Sequence, residues 1–135
     1  RENDLDKAAS YGQKILTALK NNNDPKMNPL KAYSYRALGQ KAFLASDNAT
    51  AQKYFLQAAE LEPTNDYAHM QLGYIFWRQG KTIEAINSFA KAVALNGQSA
   101  RDARKELYNL LNAQYGNTSN ATKFIDAAKK ELGIS

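Results

Sequence analysis

The sequence repeats itself. Leu38 and Gly39 return as Leu72 and Gly73, Ala51 as Ala85, Phe55 as Phe89 and Ala58 as Ala92, each pair 34 positions apart. A period of roughly 20 to 50 residues marks an array whose units are too small to bury their own apolar faces and must stack on their neighbours. Few folds meet that condition, and in those that do, function resides on surfaces.

Inside the period the spacing is helical. The first full unit, 32–65, presents Tyr35, Leu38, Gly39 and Ala42 on one stripe, turns at Ser46-Asp47-Asn48, and continues with Ala51, Phe55, Ala58 and Leu61 up to Pro63. The second, 66–99, repeats this with His69, Leu72, Gly73 and Phe76, a break at Gly80, then Ala85, Phe89, Ala92 and Leu95 before Gly97. A glycine within a helix costs about 1 kcal/mol relative to alanine, so two at the same repeat position require a compensating cause. Close approach of a neighbouring helix supplies one.

The same 4-then-3 spacing occurs in Ala8, Gly12 and Ile15, and again in Ala121, Ile125 and Ala128. The chain is therefore expected to open on the second helix of a unit whose first helix is absent or lies upstream. Residues 1–31 then comprise that helix and a loop from Asn21 to Pro29, with Asn28 as the expected cap and Pro29 as the first helical residue. Residues 100–135 are expected to form a divergent capping pair, opened by a Ser99–Asp102 capping box and turning at Gly116-Asn117-Thr118-Ser119. Ala121 lies 36 positions after Ala85, so two extra residues fall between Gly97 and Ala121. One domain over 1–135 is the reading.

An aromatic, Leu-Gly, a later Ala and aromatic, and a closing Pro make a pattern that resembles the tetratricopeptide repeat. Tyr35, Leu38, Gly39, Ala51, Phe55, Ala58 and Pro63 carry it in one unit; His69, Leu72, Gly73, Phe76, Ala85, Phe89 and Ala92 carry it in the next. In the third unit Glu106-Leu107, or Leu107-Tyr108 after a shift of one, stands in place of Leu-Gly. The resemblance implies an all-α fold, a right-handed α-α superhelix of about seven antiparallel helices.

It also implies a concave face that binds a peptide or protein segment, lined by the first helix of each unit. The matching positions are Tyr33, Arg36, Gln40 and Phe43, then Tyr67, Met70, Gln71, Tyr74, Trp77 and Arg78, then Arg101, Arg104, Lys105, Tyr108 and Leu111. Tyr67, Met70, Tyr74 and Trp77 form a second apolar stripe on a helix whose core stripe is already supplied. They either line a ligand groove or pack on neighbouring helices. Some domains of this family clamp a peptide's terminal carboxylate, and Arg36, Gln40, Gln71, Arg101 and Lys105 occupy the matching positions on the unshifted frame. A shift of one residue in the third unit would put Asp102 and Glu106 there instead.

Catalysis finds no support. The single histidine, His69, falls where Tyr35 does in the preceding unit, which assigns it to packing, and no triad, zinc motif or phosphate loop is present. No cofactor is implied. A net charge of +5 favours anionic partners mildly. Single-stranded nucleic acid is disfavoured because Lys7, Lys14, Lys20, Lys123, Lys129 and Lys130 spread that charge over the outer helices. No apolar run approaches the roughly 18 residues of a membrane span. Self-association, as a spacer or oligomerisation module of a longer array, is the alternative to peptide binding. With no cysteine and no initiating methionine, the compartment is open: cytoplasmic, or periplasmic or secreted if a leader was removed.

Overall fold

Capping residues fall where the chain must turn. In the computed structural model, which describes residues 2–135, they delimit seven α-helices and no strand among the described residues: α1 (Glu2–Ala18), α2 (Asn28–Leu44), α3 (Asn48–Leu61), α4 (Asp66–Arg78), α5 (Thr82–Ala94), α6 (Ala100–Tyr115) and α7 (Ala121–Leu132). The Asp47 carboxylate accepts the Thr50 amide at 3.2 Å to start α3, and the Asn65 side chain accepts the Ala68 amide at 3.0 Å to start α4. Ser46 and Gly80, one repeat apart, both take the left-handed conformation that ends a unit's first helix, with φ of 60° and 74°.

Two compact units divide after Pro63. In the first, α1 and α3 both pack on α2. Gly12 of α1 is buried against the α2 backbone: a Cβ there would lie 2.9 Å from the Ser34 carbonyl oxygen. Ala9, Ala32, Ala37, Ala51, Phe55 and Ala58 make up the core of this unit. Asn28 does not cap α2, contrary to expectation. A 3₁₀ turn at Pro25–Met27, capped by Asp24, delivers the chain already helical at Met27, so Asn28 enters as the first helical residue and Pro29 as the second. Proline is tolerated there because amides of the first turn have no intrahelical acceptor.

In the second unit, Thr64–Ser135, α5 is the hub on which α4, α6 and α7 pack. Ile86, Phe89, Leu107 and Leu111 fill its centre, with Phe124, Ile125 and Leu132 of α7 closing one side. The glycines of the repeat are notches for the aromatic of the following helix. A Cβ on Gly39 would come within 2.8 Å of the Phe55 ring, and one on Gly73 within 2.7 Å of the Phe89 ring. His69 is buried at 6% exposure.

The expected Ser99–Asp102 capping box does not form. Ser99 has a helical backbone and makes no side-chain cap bond; instead its amide donates to the Asp66 carboxylate of α4 at 2.9 Å. The two extra residues of the third unit lie within α6. The first-helix caps Asn65 and Ser99 keep the 34-residue spacing, whereas the turn glycines Gly80 and Gly116 stand 36 apart.

Candidate functional site

α4 is amphipathic twice over. Its inward side buries Ala68, His69, Leu72, Gly73 and Ile75. Met70 and Tyr74, from the second stripe, are partly buried against the α5–α6 core, while Trp77 stands 58% exposed. The stripe therefore splits: its middle packs on neighbouring helices and its end remains open.

Where it opens, α4 and α6 form a cleft of about 90 Å³ lined by Tyr74, Trp77, Phe89, Glu106, Asn109 and Leu110. The Tyr74 ring meets Phe89 edge-on at 5.1 Å and an angle of 85°, a favoured aromatic geometry that holds the phenol in place. The Glu106 carboxylate is within interaction range of its hydroxyl as an acceptor. Partial burial pushes the Tyr74 hydroxyl up to about 12; the Glu106 acceptor and the charges of Glu106 and Asp102 act in the same direction. The Asn109 amide donates to Glu106 Oε1 at 3.3 Å.

The wall opposite Tyr74 comes from α6. Glu106 occupies the repeat position of Leu38 and Leu72, and Leu107 occupies that of Gly39 and Gly73. Leu107 is wholly buried, and Glu106 acts on the Tyr74 hydroxyl. The cleft thus has an acidic wall. Arg101, Arg104, Lys105 and Tyr108 are all exposed, on a face centred roughly 115° around α6 from the centre of Asp102, Glu106 and Asn109 at 3.6 residues per turn. Leu111 does not line a groove: it is fully buried in the core, because the side of α6 that carries Leu107 and Leu111 is the one pressed on α5.

The other candidate residues distribute as follows. Gln71 is buried at 6% exposure, so its amide is not offered on an open surface as a carboxylate clamp requires. Tyr67 is half-buried and its amide donates to Asp66 Oδ1 at 2.9 Å, while Arg78 is exposed at the end of α4. In the first unit Tyr33 is exposed, with the Arg36 guanidinium 5.9 Å from its ring centre. That guanidinium also pairs with Glu62 at 3.2 Å, a bond a carboxylate ligand would have to displace. Gln40 and Phe43 are half-buried, and Gln40 lines an open groove with Leu5, Lys41 and Leu44. Phe89, Asn109 and Leu110 complete the cleft without having been candidates, and Glu106 was one only on the shifted frame. The one signal for them was Glu106-Leu107 in place of Leu-Gly.

Among the described residues no group of three or more His, Cys, Asp or Glu side chains is placed to hold a metal ion. No helix there is long and apolar enough to cross a membrane.

Helical hairpins with a 34-residue period define an all-α helical-repeat protein. Residues 67–99 match the family model of the tetratricopeptide repeat, and that match together with the seven helices fits a tetratricopeptide-repeat protein. Repeats of this family generally mediate protein–protein interactions and are typically non-catalytic modules. No curated protein and no solved structure matches the chain.

Proposed function

We propose that the chain is a non-catalytic scaffold that holds a peptide or protein segment against the first helix of its units. The contacting side chains in this reading are Tyr33, Arg36, Gln40 and Phe43 on α2; Tyr67, Met70, Tyr74, Trp77 and Arg78 on α4; and Arg101, Arg104, Lys105 and Tyr108 on α6. The exposure of Trp77 at the mouth of the α4/α6 cleft carries the proposal. A large aromatic left half in water beside an apolar recess is the residue type that anchors protein interfaces.

As the only tryptophan, Trp77 also reports on its own surroundings. Peptides selected on the full chain from a displayed random library should shift its emission to shorter wavelength. Trp77→Ala should weaken them by about tenfold or more, the mark of an interface anchor. Recovery of no peptide, or equal affinity for the Ala variant, would refute the proposal. A steep log–log dependence on salt for a single-stranded oligonucleotide would favour nucleic acid instead.

Self-association is the second reading, and Leu44 supports it. That side chain is 62% exposed on the groove that Leu5 and Gln40 share. Light scattering across a concentration series tests it: a constant monomer mass excludes it, and a rise toward the dimer that Leu44→Lys abolishes establishes it.

A further inference from the structure

We propose that the α4/α6 cleft is a socket for one cationic side chain, Lys or Arg, of the bound segment, a specificity that rests on the peptide-binding reading above. Three features of the cleft lead there. It is small, about 90 Å³, room for the end of one side chain and not for a backbone. Its walls are aromatic, with Tyr74 and Phe89 inside and Trp77 at the mouth, and a cation over such faces is attracted by the ring quadrupole. Its polar wall is a carboxylate.

Glu106 is half-buried; the Asn109 amide donates to it and the Tyr74 hydroxyl lies within its reach, both neutral groups. An ionised carboxylate has about four acceptor sites, so capacity remains for an ammonium or guanidinium N–H. Neither Glu106 nor Asp102 takes part in the ion pairs Arg36–Glu62, Lys41–Asp6 and Lys91–Glu131. Asp102, one turn before Glu106 and near enough to act on Tyr74, adds to the negative potential. The basic residues of α6 lie on its other exposed face, so the charge of the cleft opposes that of the chain as a whole. Charge complementarity thus selects a basic side chain here, where the net charge alone would suggest an acidic one.

The test is a display selection on the full chain and on Glu106→Gln, which keeps an acceptor for the Tyr74 hydroxyl while removing the charge. Peptides recovered on the native chain should be enriched in Lys or Arg at one position, and those recovered on Glu106→Gln should not. Replacing that residue by norleucine in the most enriched peptide should weaken binding about tenfold on the native chain and less than about threefold on Glu106→Gln, as a lost charge-assisted contact requires. Asp102→Asn, at an exposed position, keeps the question open should Glu106→Gln fold poorly; it should lower affinity for the Lys or Arg peptide and leave the norleucine peptide unchanged. Peptides without basic enrichment, or equal losses in both chains, would overturn the socket while leaving peptide binding standing. Recovery of no peptide overturns both.

Discussion

Gly73 and Gly39 show how much a single missing Cβ decides. Alanine is the better helix former by about 1 kcal/mol, so each position would gain from it in an isolated helix. In the folded chain the new methyl would meet the Phe89 ring at 2.7 Å or the Phe55 ring at 2.8 Å, and both rings are buried. Overpacking of that kind costs about 1–3 kcal/mol, so Gly73→Ala should lower the urea midpoint. A raised midpoint would mean that the ring is not locked. Ser46 is the opposite case, a side chain held at φ 60° where the next unit has Gly80 at φ 74°. An L-residue pays about 1–2 kcal/mol for that conformation, so Ser46→Gly should stabilise the chain by up to about 1 kcal/mol after the entropy of glycine is counted, again by urea melt. Tyr74 carries a prediction in pH. Its hydroxyl is neutral in the fold up to about 12 rather than 10, so its contribution is complete below pH 10 and is lost as pH rises from there through 12. In an alkaline titration followed by phenolate absorbance, a late-ionising phase should appear, and the Tyr74→Phe chain should lack it.

At the scale of the helices, the tie between α4 and α6 explains a departure from the repeat. Gly97 stands where the first unit has Pro63, and a Cβ there would lie 2.5 Å from Asp66 Oδ2. Its absence lets that oxygen reach the Ser99 amide, while Oδ1 accepts the Tyr67 amide. One carboxylate therefore serves the N-termini of two helices, where unpaired amides and helix dipoles favour negative charge. Asp66→Ala should cost about 1.5–3 kcal/mol, the range for hydrogen bonds to a charged group. Gly97→Ala should cost part of the same energy, and the double variant should fall short of the sum in denaturant melts. Additive losses would show that the two residues act separately. The capping box expected at Ser99 failed for this reason: the helix end found its partner 33 positions away and not within its own first turn.

For the molecule as a whole, the two units differ in what they bury. The first relies on five alanines and Phe55; the second gathers Ile75, Ile86, Phe89, Leu107 and Leu111 at full or nearly full burial. Each buried methylene contributes about 0.8 kcal/mol, so the second unit should hold its amides closed more tightly. Hydrogen exchange followed by mass spectrometry should find α1–α3 opening at lower free energy than α5 and α6; equal protection would contradict this. The helices, their turns and the notch glycines were legible in the sequence, because period, caps and apolar spacing are properties of short stretches that any helical hairpin must satisfy. The rotation of α6 about its axis was not. Leu107, Leu110 and Leu111 set that rotation by burial in the core that α5 shares, and it brings Glu106 near Tyr74, 32 positions earlier in the chain. The repeat and its surfaces follow from local pattern; the sign of the charge in the cleft is decided only when two distant helices share one core.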